Sequence, residues 1–409
     1  MHRSPWLAGP VFLVVFATGL LLGWSGLLPN PLSGQPARVQ HTFTPFWEAW
    51  RLVEDNYVDR QAVKPRPMTE GAIRGMLDSL GDTGHTTYLT PEEARRMEDD
   101  LKGHMEGIGV RIGERQGRPT ALAVLPGTPA EKGGVKPGDV LLQADGKDLK
   151  GKSPEQIVEM VTGKAGTELT LTVSRAGESQ PLTLTLTRAH ITVPDVGWHM
   201  LQGRPVAHLS ILSFGEKVDE QLRTALDEAR KAGARGLVLD VRLNPGGLKD
   251  QAVAVTSEFL KDGNVFIEQD AQGKQTPLPV KPGGTATDVP LVVLIDEGTA
   301  SSAEIFAGAI QDHHRGKLVG TKTFGTGTVL QPFELSDHSA VLLAVSEWLT
   351  PDGRQIWHKG ITPDVPVALP SGAAVILPEE SGRMSRADLD KSSDKQLLRA
   401  LEVLGEQIK

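Results

Sequence analysis

Gly236-Leu237-Val238-Leu239-Asp240-Val241, running directly into Arg242-Leu243-Asn244-Pro245-Gly246-Gly247-Leu248, decides how this chain folds. The first half is an apolar run without polar alternation, the mark of a strand covered on both faces in a parallel sheet. The second half is a Pro-Gly turn, and a helical pattern follows over residues 251–260. The same order recurs on both sides. Pro205-Val206-Ala207-His208-Leu209-Ser210-Ile211 precedes a helical pattern over residues 218–232. Leu291-Val292-Val293-Leu294-Ile295 leads into Gly298-Thr299-Ala300-Ser301-Ser302-Ala303-Glu304, a small-residue turn that opens another helix. Strand, turn and helix units of this kind join by right-handed crossovers into a mostly parallel α/β core, with function at the carboxyl ends of the strands. Asn244 to Gly247 and Ser301 are expected to meet there.

A serine carried by a small-residue turn into a helix is well placed for nucleophilic attack. Small neighbours let a substrate carbonyl approach the backbone, and the free N–H groups of the helix start can hold a developing oxyanion. The hydroxyl still requires a base. The second Gly-rich run, Thr323-Phe324-Gly325-Thr326-Gly327-Thr328-Val329, lies in the same domain.

These runs resemble those of the carboxy-terminal processing proteases, also called tail-specific proteases, which use a serine/lysine dyad. Trp348-Leu349-Thr350-Pro351-Asp352-Gly353-Arg354 and Gly360-Ile361-Thr362-Pro363-Asp364 extend the resemblance, which covers residues 44–370 and a C-terminal helix near residues 394–404. It implies that Ser301 is the nucleophile and that Ser302, with Gly246 or Gly247 of the Arg-x-Asn-Pro-Gly-Gly turn, donates to the oxyanion. It also maps the base lysine onto Thr326, which has no basic lone pair at neutral pH. A glutamine that follows that lysine by four residues falls on Leu330, with Gln331 one step later. Two substitutes for the base are weighed. Lys322 shares a strand face with position 326 but lies about 13 Å along it, and His338 takes a position where the family usually has glycine. His85 is read as a hydrogen-bonding loop residue, and His313 and His314 as surface or packing residues.

Residues 103–190 read as a separate, mainly β module. Gly107-Ile108-Gly109-Val110 opens it, Ala121 to Leu125 and Gly138 to Leu142 follow, and Leu169 to Val173 and Leu182 to Leu186 alternate as half-buried strands. The order is similar to a circularly permuted PDZ domain, with Gly107, Ile108, Gly109 and Val110 in the place of the carboxylate-binding loop. Consecutive N–H groups there would hold a terminal carboxylate, and the adjoining strand edge an extended peptide.

The expected organisation is therefore a signal or anchor at residues 1–29, a linker at 30–43 and an N-terminal helical region at 44–102. The PDZ-like module at 103–190, an α/β protease core at 191–370, and a polar connector with a C-terminal helix at 371–409 complete it. No charged residue occurs from Trp6 to Leu28, long enough to cross a bilayer. This places the rest of the chain outside the cytoplasmic membrane and anchored to it. A formal charge of -8 leaves no basic surface for nucleic acid. No spacing suits a metal site, no cofactor is implied, and the oligomeric state stays open. The leading functional reading is a serine endopeptidase that binds free C-terminal tails and cleaves upstream of them. A second is a catalytically impaired relative serving as a peptide-binding or scaffold protein. A third, a soluble hydrolase of other acyl substrates, fits the PDZ-like module poorly.

Overall fold

The computed structural model describes residues 41–82, 85–101, 105–115, 117–152, 154–191, 194–370 and 373–408. The charge-free segment from Trp6 to Leu28 and residues 30–40 of the linker after it lie outside the described residues. No helix among the described residues is long and apolar enough to cross a membrane.

The chain divides into two compact units, Met1–Ala72 and Ile73–Lys409. In the first, helix Thr44–Asn56 has Pro45 in its first turn, where the missing N–H costs nothing. None of its residues is buried, and Phe46, Trp47 and Trp50 contact one another along its surface, with ring centroids 5.0 to 6.2 Å apart.

The second unit is built on a six-stranded sheet. Its order is Val196–Met200, Val206–Ile211, Gly236–Asp240, Leu291–Ile295, Lys317–Gly320 and Val365–Pro366; the first pair is antiparallel and every other pair parallel. Residues of the central strands alternate between two cores, as the two-residue period of a strand requires. Leu237, Leu239, Leu291, Val293 and Ile295 pack under helices Val218–Lys231, Lys249–Ser257 and Ser302–Asp312. Val238, Val292 and Leu294 pack against Leu397, Leu401 and Leu404 of helix Lys395–Gln407. Both faces are thus covered, which explains the unbroken apolar runs.

Two features depart from expectation. An antiparallel sheet, ordered Thr87–Leu89, Ala340–Leu349, Asn264–Asp270 and Gln275–Pro279, accompanies the parallel one, and Thr328–Glu334 also pairs with Ala340–Leu349. The polar stretch read as a connector is packed instead. It forms short helices Pro378–Ser381 and Arg386–Asp390, and the buried Ser381 hydroxyl lies 2.9 Å from His208 Nδ1. Its polar composition hid a handful of buried contacts.

The module expected at 103–190 has its own sheet, ordered Val110–Arg115, Arg118–Val124, Val140–Ala144, Glu168–Ser174 and Leu182–Thr187. Leu169, Leu171 and Val173 point into its core at every second position. Met105–Gly107 pairs with Ala189–Ile191, bringing the module's two ends together.

Buried charge gathers where the central strands end. Arg242 binds Asp240 through Nε and Nη2, and Asp394 and Gln396 through Nη1 at 2.9 and 3.0 Å, all of them buried. Burial acts to raise Asp240, but the Arg242 and His208 charges and hydrogen bonds outweigh it and hold the carboxyl at about 2. Asp296, just past Leu291–Ile295, goes the other way: burial pushes it up to about 6 against the hydrogen bond from Leu243 N–H and the charge of Arg242.

Asp394→Ala removes one carboxylate from a fully buried cation and the cap that accepts Leu397 N–H. It is expected to cost about 3 to 5 kcal/mol in urea unfolding, as breaking a buried pair does. Asp296 holds its proton more tightly folded than unfolded, so its contribution to stability is complete below about pH 4 and lost as pH rises through about 6. The loss is about 3 kcal/mol. Asp240 contributes with the opposite sign, losing stability as pH falls from about 4 toward 2. Between pH 4 and 7 the difference in unfolding stability between wild type and Asp296→Asn is expected to change by about 3 kcal/mol, wild type losing ground as pH rises; parallel curves would remove Asp296 from the pH dependence.

Candidate active site

Ser301 stands between strand Leu291–Ile295 and helix Ser302–Asp312 at φ 54°, a left-handed conformation that few non-glycine residues adopt. Its backbone is held from three sides. Ala300 N–H donates to Asn244 O at 2.9 Å, Ser301 N–H donates to Glu304 Oε2 at 3.0 Å, and Asp296 Oδ1 accepts from both Leu243 N–H and Gly298 N–H. The turn that follows Gly236–Asp240 is thereby fastened to the turn that carries the serine.

Asn244 organises this first turn. Its Nδ2 donates to Ile211 O and its Oδ1 accepts from Gly246 N–H at 2.8 Å. Gly246 is consequently engaged and is not a free donor, which corrects the choice left open in the sequence. Neither Gly247 N–H nor Ser302 N–H donates a hydrogen bond among the described residues, while Gly247 O accepts from Ser302 Oγ at 3.0 Å. Gly246 has no room for a side chain: a Cβ there would stand 2.5 Å from Ser301 Cβ and 2.9 Å from Ser302 N. Glycine permits this contact between the turns.

Glu304 ties in the second Gly-rich run. Its buried carboxylate accepts from Thr323 Oγ1 at 2.6 Å, from Gly325 N–H and Thr326 N–H at 2.8 Å each, and from Ser301 N–H. Burial raises this carboxyl above the usual range and the four donors pull it back. The N–H groups of Ser301 and Thr326 share Glu304 Oε2, so position 326 is held beside the backbone of Ser301. Thr326 itself is buried.

The two substitutes for the base are placed elsewhere. Lys322 is exposed, next to Thr323 whose hydroxyl turns inward to Glu304. His338 is 83% exposed, paired with Glu334 in the turn between Thr328–Glu334 and Ala340–Leu349, at the end remote from Thr328. His338 therefore does not reach Ser301.

A histidine that the sequence left without a role is better built. His85 is 4% exposed, its Nδ1 lies 2.9 Å from Asp82 Oδ1, and its Nε2 is buried without a hydrogen-bond partner among the described residues. Asp82 also accepts from Thr86 N–H, Thr86 Oγ1 and Trp357 Nε1. The available signal was an aspartate three residues before a histidine; the aromatic neighbours that bury the ring come from much later in the chain.

In the β module, Gly107 ends strand Met105–Gly107, Ile108 is in the core, Gly109 takes φ 79°, and Val110 begins Val110–Arg115. Ile108 O and Gly109 O are engaged by Ala130 N–H and Leu125 N–H. Val110–Arg115 is the edge of its sheet and lies beside helix Pro154–Val161, so an extended peptide has an open strand edge to join. From this strand Arg111 reaches the core, donating to Leu243 O at 2.9 Å and Leu212 O at 2.7 Å.

Comparison with known proteins identifies the family of the chain. Peptidase family S41 matches residues 205–367, and a PDZ domain matches residues 120–175. The chain is 35% identical over 327 residues to the carboxy-terminal processing protease CtpA of Bacillus subtilis, covering 80% of this chain and 69% of that one. It is 36% identical over 308 residues to the carboxy-terminal-processing protease of Bartonella bacilliformis, covering 74% and 70%. Among solved structures, the photosystem II D1 C-terminal processing protease superposes with a TM-score of 0.59 at 30% identity, over 82% of this chain and 97% of that one. With that identity sustained over more than two thirds of its relatives' length, the chain belongs to the carboxy-terminal processing proteases and is a serine-type peptidase carrying a PDZ domain.

Proposed function

We propose that this peptidase is an extracytoplasmic endopeptidase that holds the free C-terminus of a protein at Gly107 to Val110 and cleaves upstream with Ser301. The observation that carries the reading is the strained serine turn with two undonated N–H groups beside it, Gly247 and Ser302. The Ser301 Oγ lone pair attacks the scissile carbonyl carbon, and the carbonyl electron pair moves onto oxygen between those N–H groups. Each preorganised donor contributes about 3 kcal/mol to the transition state. Collapse expels the amine and leaves an acyl-serine ester, which water hydrolyses. The PDZ edge strand supplies main-chain pairing for the tail, and the loop before it supplies N–H groups for the carboxylate. The uncharged segment from Trp6 to Leu28 supports attachment to the cytoplasmic membrane.

Thr326 favours a second reading, an impaired enzyme kept for peptide binding, because the family's lysine is missing there. Ser301→Ala discriminates. Cleavage of an unstructured protein with an apolar tail is expected to fall to background, and fluorophosphonate labelling at residue 301 to vanish. A wild type that neither cleaves nor labels, yet binds tails, supports the impaired reading. Amidating the substrate's C-terminus is expected to weaken binding by about 1.5 to 3 kcal/mol, the worth of a charge-assisted hydrogen bond. Equal subsaturating rates for acid and amide tails would take the PDZ domain out of substrate selection.

A further inference from the structure

A serine with an oxyanion site but a threonine at position 326 raises one question: where does its proton go? Among the groups near the cleft, Glu304 is occupied by four donors, Lys322 projects into solvent and His338 is remote. Thr326 offers only a hydroxyl. We propose that His85 is the general base of this peptidase, oriented by Asp82, and that this pair replaces the lysine missing at position 326. The inference rests on Ser301 being the nucleophile.

Three observations carry it. The first is the pair itself. Burial acts to raise the Asp82 carboxyl, but hydrogen bonds from Thr86 and His85 outweigh it and keep it below the ordinary carboxylate range. An ionised Asp82 accepts a hydrogen bond from Nδ1–H at 2.9 Å, which fixes the tautomer and leaves the lone pair on Nε2. The second is that this nitrogen is buried and unpartnered among the described residues. A buried polar atom without a partner is costly and uncommon, and an acceptor held ready for a reacting hydroxyl accounts for it.

The third is location. The His85 ring packs edge-on against Phe324 at 5.7 Å and lies 6.0 Å from the His358 ring. Phe324 N–H donates to Thr299 O at 3.0 Å, two residues before the nucleophile, and His358 N–H donates to Gly325 O at 2.9 Å. Gly325 and Thr326 are in turn pinned by Glu304, whose Oε2 also holds Ser301 N–H. His85 thus sits on the loop that the structure clamps against the serine turn. His358 is itself exposed, stacked at 4.7 Å on Trp357, and has no carboxylate partner among the described residues, so it is the weaker candidate.

The proton inventory closes. As the Ser301 Oγ–C bond forms, the hydroxyl proton passes to Nε2 and the imidazolium is balanced by Asp82. When the C–N bond breaks, Nε2 returns that proton to the departing amine. In deacylation water gives a proton to Nε2 as its oxygen attacks the ester, and the proton passes back to Ser301 Oγ as the acid leaves. Asp82 keeps its charge throughout.

The experiment compares His85→Ala, His85→Gln, Asp82→Asn, His358→Ala, Lys322→Ala and Ser301→Ala in the full chain, with thermal unfolding as a check on folding. His85→Ala and His85→Gln are each expected to lower kcat by about 10²- to 10⁴-fold at unchanged KM, and to slow fluorophosphonate labelling of Ser301. Added imidazole is expected to restore part of the His85→Ala rate, which a structural role would not allow. Asp82→Asn is expected to lower kcat more than it raises KM, because the amide donates to Nδ1 and moves the proton onto Nε2. The His358 and Lys322 variants should keep wild-type rates. A folded His85→Gln with wild-type rates, while Ser301→Ala is inactive, overturns the base assignment and leaves the nucleophile standing. Loss on His358→Ala or Lys322→Ala instead of His85 names a different base. Activity persisting in Ser301→Ala would overturn the nucleophile itself.

Discussion

One buried carboxylate holds the active site together. Glu304 begins the helix behind Ser301 and turns its side chain back on the chain, where it meets two segments that are far apart in sequence. An isolated carboxylate in that position would carry a desolvation penalty of several kcal/mol; four short hydrogen bonds offset it. The exchange is mutual, since Ser301, Gly325 and Thr326 would otherwise leave buried N–H groups unmet. The serine's left-handed backbone, the position of the second Gly-rich run and the packing of His85 against Phe324 all follow from this single acceptor. Removing it would release both segments together, beyond the cost of one bond.

Around that anchor the site divides labour between backbone and side chain. The N–H groups proposed to hold the oxyanion are backbone, placed where Gly246 allows two turns to touch and where Asn244 takes up one N–H while the next has no acceptor among the described residues. Proton transfer is a side-chain task. A lysine on the loop near Ser301 would have to be desolvated to lose its charge near neutrality, whereas a histidine is neutral there and needs only orientation. Exchanging one for the other moves the base from the loop after Lys317–Gly320 to the loop before Thr87–Leu89 without disturbing the backbone elements they serve.

The architecture was largely legible in the sequence because the central strands are covered on both faces. Val238 and Leu239 differ by one residue and enter opposite cores, so the run has to be apolar throughout. Ser301 and the glycines were legible because their conformations demand small residues. The antiparallel sheet was not, since Ala340–Leu349 is flanked by partners from several parts of the chain. Nor was the packing of Ser381 against His208, or the use of Gly246 N–H by Asn244, because a polar side chain does not reveal its partner. His85 shows the limit most clearly: its link to Asp82 is local, but Phe324, Trp357 and His358, which give that link its setting, arrive only with the tertiary fold.

Arg242 has a consequence for the order in which the molecule is made. It begins the turn that carries Gly246 and Gly247, yet part of its charge is balanced by Asp394 at the head of the final helix, and that helix also covers one face of the central strands. A nascent chain that has already produced Ser301, Glu304 and both Gly-rich runs still has a guanidinium paired with Asp240 alone and one uncovered face of its sheet. The scaffold beneath Ser301 closes only when the final helix has been made. The turn that carries the glycines thus depends for part of its support on the end of the chain, and a copy cut short before Asp394 lacks that support.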